Sequence, residues 1–169
     1  MADLSGKVAI ITGAGRLRGI GRAAAVALAQ DGADIVITGT GRSPDSFPED
    51  EKQVGWKDIE STAEQVRDLG RECLPLICNA ADSNDVNSVV KQTMDKFGRV
   101  DILVNNAGIL ATESNQELED TSLEQWREVH AGNSEGVFLG CKHGVNAMKK
   151  TGGAIVNLSS IAGLLASPN

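Results

Sequence analysis

The stretch Thr12 to Gly21 reads T-G-A-G-R-L-R-G-I-G. The apolar run Val8-Ala9-Ile10-Ile11 enters it, and Gly21 opens an alanine-rich run that lasts to Gln30. Strand, glycine turn and helix in that order form the context in which such a motif points to nucleotide binding. Glycines let the backbone turn sharply and let a pyrophosphate come close. The helix that follows offers free N–H groups and the positive end of its dipole to phosphate oxygens. Glycine also marks ordinary turns, so the motif needs support from the rest of the chain.

Outward from that turn the pattern repeats. Asp34-Ile35-Val36-Ile37-Thr38 is a second strand, and Gly32 sits before it where a helix C-cap glycine belongs. Gly39 to Trp56 reads as loop, with Pro44, Pro48 and the acidic run Glu49-Asp50-Glu51. It is long for a strand-to-helix connection, and is either a surface insertion or a flap over the adenosine end of a bound nucleotide. Ile59, Ala63, Val66 and Leu69 share one helical face closed by Gly70, and Leu74 to Cys78 is a third strand. Val86, Val89, Val90, Met94 and Phe97 make a second helical face, stopped by Gly98. Asp101 to Val104 is a fourth strand that runs into Asn105-Asn106-Ala107-Gly108. Thr121-Ser122-Leu123-Glu124 reads as a capping box. It opens a helical region to about Lys150, interrupted near Gly132, in which Leu123, Trp126 and Val129 read as core. Ala154 to Leu158 is a fifth strand with Ser159-Ser160 at its end.

This alternation implies an α/β fold. A doubly wound parallel sheet of Rossmann type would have right-handed crossovers and helices on both faces, in three layers. One domain spans residues 1–169 on this reading. Ligands in such sheets bind beyond the carboxyl ends of the strands. The glycine turn, the Asn105–Gly108 loop and Ser159-Ser160 all fall there.

Composition narrows the function. A formal net charge of −7 argues against a nucleic-acid partner, which usually meets a basic patch. No apolar run is long enough to span a membrane, and the first residues do not read as a signal peptide. Cys73, Cys78 and Cys141 form no C-x-x-C pair, which suggests reduced thiols in the cytoplasm. No metal-binding set stands out. The chain contains no tyrosine.

Four signals together resemble the short-chain dehydrogenase/reductase family. They are Thr12-Gly13 with Gly19-Ile20-Gly21; Asn105-Asn106-Ala107-Gly108 after an apolar strand; Trp126 with Asn133 and Gly136-Val137-Phe138; and Ile155-Val156-Asn157-Leu158-Ser159-Ser160 followed by Ala162-Gly163. The resemblance covers essentially the whole chain. It is to the branch that includes β-ketoacyl-carrier-protein reductases and many bacterial carbonyl reductases. It implies an NAD(P)(H)-dependent oxidoreductase that moves a hydride between nicotinamide and a carbonyl or alcohol, such as a 3-oxoacyl thioester or a small ketone.

The resemblance also implies roles. Gly13, Gly19, Ile20 and Gly21 would shape the phosphate turn. Asn106, Ala107 and Gly108 would pack beside the adenine ribose, and Asn79-Ala80 would meet the adenine. Ser160 matches the catalytic serine, and Asn133 the helix asparagine that holds a water in the proton relay. Plainer readings exist: Ser159 and Ser160 as turn formers, Asn133 as a capping residue, and Asn105 or Asn106 as ties between strands. His130 and His143 match no family position and read as surface or partly buried helix residues; Cys141 reads as packing.

The chain departs from the family in three places. The turn is two residues longer between Gly13 and Gly19, a bulge flanked by Arg16 and Arg18. Gly132 and Ser134 replace apolar neighbours of the helix asparagine. The family's catalytic tyrosine and lysine lie past the serine, and this chain stops before them. The C-terminal part of the fold is therefore expected to be missing, and the 169 residues alone to be inactive. A catalytically silent dinucleotide-binding fragment is the alternative; a methyltransferase-like domain fits less well. No acid stands at Gly39 or Thr40, where an NAD fold commonly has one. Arg18 and Arg42 then suggest NADP, gripped through its 2′-phosphate. Family relatives also suggest a homodimer or homotetramer, paired in part through Val137, Phe138, Val145 and Met148.

Overall fold

The computed structural model describes residues 3–109 and 118–161. Five parallel strands form one sheet: β1 (Val8–Ile11), β2 (Asp34–Gly39), β3 (Cys73–Ile77), β4 (Ile102–Asn105) and β5 (Ala154–Asn157), in the order β3-β2-β1-β4-β5. The central pairings set Ile10 opposite Val36 on one side and Leu103 on the other. Strand order reverses at β1, so the crevice beyond its carboxyl end is the expected ligand site.

Alternation along the strands splits the core into two layers. Ala9, Ile11, Ile35 and Ile37 face α1 (Ile20–Gln30) and α3 (Ile59–Asp68), which contribute Ala25, Ala29, Ala63 and Val66. Val8, Ile10, Val36 and Leu103 face α4 (Ser83–Phe97) and α6 (Gly136–Met148), which contribute Val86, Val89, Leu139 and Met148. Asp82 caps α4 by accepting from the N–H groups of Asn84 and Asp85, and Gly98 ends it at φ 73°.

Several details differ from the sequence reading. The 39–56 segment is not bare loop: it contains a short 3-10 turn at Pro44–Ser46 and α2 (Glu49–Gln53). Phe47 and Trp56 are buried, because the segment folds back on the first glycine turn instead of standing off in solvent. The capping box before α5 (Leu123–His130) is shifted by one residue: Ser122 pairs with Gln125, not Thr121 with Glu124. Leu123 and Trp126 are exposed, since α5 carries no buried residue and packs mainly on the turn that follows it. Leu69 is also exposed, lying past the last buried turn of α3. Met148 is core, not surface, whereas Phe138 and Val145 are exposed. Ala162 and Gly163 lie outside the described residues. Among the described residues, no helix is long and apolar enough to cross a membrane.

Candidate dinucleotide and active site

Thr12 joins the two loops that define the site. Its backbone N–H donates to the Val104 carbonyl at 3.0 Å, extending the β1–β4 pairing. Its Oγ1 accepts from the N–H groups of Asn106 (3.0 Å) and Ala107 (2.9 Å). Asn106 answers through Nδ2, which donates to the carbonyls of Thr12 (2.7 Å) and Gly13 (2.9 Å). The glycine turn and the Asn105–Gly108 loop are thereby latched at four points.

Two glycines in the turn are required by contact. Gly13 has φ +71°, and a Cβ there would lie 2.7 Å from the Ala107 Cα. A Cβ on Gly21 would lie 2.5 Å from Asn106 Nδ2 and 2.6 Å from the Gly13 carbonyl oxygen. Gly19 caps α1 without any side-chain bond, and the first turn of α1 carries no acid. Its N–H groups and positive dipole end are thus open to an anion. Ile20 is exposed beside them. These features fit the pyrophosphate of a dinucleotide.

Asn79 and Ala80 follow β3 on the same sheet edge. The Asn79 side chain is exposed and accepts from the Ala81 N–H at 3.1 Å, an Asx turn that leads into α4. Asn133 lies in a π-helical segment, Ala131–Glu135, between α5 and α6. This is the interruption expected near Gly132, and such bulges re-aim side chains at functional sites. Both ends of the Asn133 amide bond the backbone of Ile109: Oδ1 accepts from its N–H and Nδ2 donates to its carbonyl, each at 2.8 Å. Ser160 is exposed just past β5, which pairs with β4 through Asn105 and Asn157. Asn105 itself is buried and donates to Asn157 Oδ1 at 2.8 Å. It is therefore the tie between strands, and Asn106 the latch.

Sequence reasoning missed the partners of the turn. Trp56 Nε1 donates to the Gly15 carbonyl at 2.6 Å, and Arg42 Nη2 to the same oxygen at 3.0 Å. Glu51, buried, accepts from the Leu17 N–H at 2.9 Å and pairs with Arg42 Nη1 at 2.8 Å. Asp58 takes Arg42 Nε at 3.1 Å and Nη2 at 2.9 Å on one oxygen, and the Arg42 N–H at 3.2 Å on the other. Burial works against the Arg42 charge, but the bonds to Glu51 and Asp58 outweigh it and hold its pKa raised. Arg18 lies outside this cluster and pairs with Asp50 at 2.9 Å, largely in solvent. A tryptophan and an acidic run inside an otherwise polar loop were the available signals.

Residues 7–169 match the family model for short chain dehydrogenases. The chain belongs to that family. It is 40% identical over 167 residues to an uncharacterized oxidoreductase of Thermotoga maritima, covering 98% of this chain and 58% of that protein. It is 37% identical to an NADP-dependent (R)-specific alcohol dehydrogenase of Lentilactobacillus kefiri, covering 98% and 58% respectively. The structure of carveol dehydrogenase from Mycobacterium avium in complex with NAD superposes with a TM-score of 0.84 at 34% identity, over all of this chain and 60% of that one. This short-chain dehydrogenase chain thus spans about three-fifths of the length of such relatives.

Proposed function

We propose that the chain is the dinucleotide-binding part of an NAD(P)(H)-dependent oxidoreductase acting on a small carbonyl or alcohol, such as a 3-oxoacyl thioester or a ketone. The observation that carries this is the latch of Thr12 and Asn106 beneath an uncapped helix, on the sheet edge that also ends in Ser160. The bound nicotinamide supplies the hydride chemistry. The protein supplies position and charge. Gly13, Gly19, Ile20 and Gly21 receive the pyrophosphate against α1. Asn106, Ala107 and Gly108 form the floor under the ribose, and Asn79 with Ala80 borders the adenine. The Ser160 hydroxyl donates to the substrate oxygen where negative charge develops. Asn133 holds the Ile109 backbone and retains one N–H and one lone pair for a water. The chain contains no tyrosine to serve as general acid beside Ser160.

The sequence argument for NADP rests on Arg18 and Arg42. In the folded chain each guanidinium has a carboxylate partner, which reduces the positive charge open to a 2′-phosphate. Free thiols at all three cysteines fit a cytoplasmic setting. Exposed Phe138 and Val145 offer apolar contacts for a homodimer or homotetramer. Calorimetric titration with NADH and NADPH tests the central claim. Binding of at least one in the micromolar range is expected; no heat from either refutes it.

A further inference from the structure

We propose that the 39–58 segment selects the unphosphorylated dinucleotide, NAD(H), with Asp58 supplying the acid that the end of β2 lacks and Glu51 cancelling the charge of Arg42. The inference rests on the dinucleotide reading above and names the residues that choose between its two forms.

An acid at the end of the second strand commonly bonds the ribose 2′-hydroxyl of NAD. Here Gly39 holds that place, and no side chain fits: a Cβ would lie 2.7 Å from Ile59 Cγ2. The same point is 3.7 Å from Asp58 Oδ2, and a Cβ on Gly15 would collide with Asp58 Oδ1. The carboxylate therefore sits between the phosphate turn and the end of β2, delivered from the far end of the segment. Asp58 adopts φ 53° and ψ −131°, and it alone among the described non-glycine residues has positive φ. Such a conformation persists only where surroundings enforce it. Trp56, Arg42 and Glu51 do so by bonding Gly15 and Leu17 of the turn.

Charge points the same way. One guanidinium, Arg42, faces two carboxylates, Glu51 and Asp58, which leaves the cluster at −1. Arg18 is matched by Asp50. A 2′-phosphate would add negative charge beside groups held largely out of water, where repulsion is weakly screened. A 2′-hydroxyl would instead donate to Asp58 Oδ2, which among the described residues accepts from the Arg42 N–H alone. The long turn and the long segment are thus mates, and together they set the adenosine end.

The test is calorimetric titration of NADH and NADPH into the wild-type chain, Asp58→Asn and Glu51→Gln. Asn tolerates positive φ, so the first variant removes charge with little change of shape. Wild type is expected to bind NADH about tenfold or more tightly than NADPH, and each variant to shrink that ratio by about tenfold. Equal or tighter NADPH binding by wild type overturns the proposal and needs no variant. It would assign the phosphate to Arg16, the exposed arginine of the turn with no ion pair among the described residues. An unchanged ratio in both variants, with unaltered circular dichroism, also overturns it. Failure of wild type to bind either dinucleotide removes the underlying reading and this inference with it.

Discussion

Asp101 shows how one carboxylate ties the sheet together at the end opposite the site. It accepts from the Val8 N–H at 3.0 Å and from Arg99 at 2.6 and 2.7 Å, with Lys7 at 3.5 Å. Burial raises its pKa, but the bonds to Arg99 and Val8 win, so the carboxyl titrates below its ordinary value. A depressed folded-state pKa stabilises the protein above the unfolded pKa, and that contribution is lost as pH falls through the folded value. Asp101→Asn should therefore cost about 2 kcal/mol near neutral pH. The deficit should begin to shrink as pH falls past about 4 and should vanish only below the depressed folded value, as urea melts across pH will show. The cysteines give a second expectation. Burial pushes the Cys73 thiol up to about 12 and the Cys78 thiol, which also faces Asp85 and Asp82, to about 11. Thiolate is the reactive form, so iodoacetamide at neutral pH should label half-buried Cys141 first. Mass spectrometry should find all three labelled only after unfolding.

The glycine turn behaves as an element whose shape is held from outside. Gly13→Ala must place a Cβ against the Ala107 backbone at a positive φ. It should lower stability by about 1–3 kcal/mol and abolish dinucleotide binding, read by thermal melts and calorimetry. Asn133 does comparable work in the π-helical segment, where its amide replaces a backbone partner for Ile109. Asn133→Ala should cost about 1 kcal/mol and increase hydrogen exchange at Ile109. Helix α6 has Gly136, Gly140 and Gly144 spaced four apart: Gly136 meets Ala80 beyond β3, and Gly140 and Gly144 approach β4. A Cβ at Gly144 would lie 2.7 Å from Leu103 Cδ2, and one at Gly140 would strike Asn105. That close approach is what brings Asn133, just before α6, over the end of β4.

Across the molecule, the two core layers leave one edge of the sheet open to chemistry and one strand little covered. Val156 on β5 is half exposed, and β5 pairs only with β4 among the described residues. Ser160 ends that strand, and the chain has no tyrosine to act beside it. A positioned general acid contributes about 10²–10⁴-fold. The 169 residues alone should therefore show no measurable ketone-dependent NADH or NADPH oxidation, while a chain extended by a segment carrying Tyr-x-x-x-Lys should. Equal turnover by the two would refute the assignment of the proton donor.

Periodicity and glycine placement were enough to read the five strands, the longer helices between them and the sheet edge that carries the candidate site. These depend on local pattern: β-branched runs of strand length, apolar residues three and four apart, and glycine where the chain must turn. Ser160, Asn133 and Asn106 were singled out by the family resemblance, and local pattern placed them only after a strand or at a helix break. What local pattern cannot carry is pairing between distant segments. Arg42 read as a cation available to phosphate, because nothing near it in sequence shows that Asp58 and Glu51 enclose it. Leu123 and Trp126 read as core, because an apolar stripe does not say what lies opposite it. The 39–56 segment read as loop, because the bonds of Glu51 and Trp56 go to a turn 34 and 41 residues earlier. Charge compensation and burial are properties of neighbours in space, and only the folded chain decides who those neighbours are.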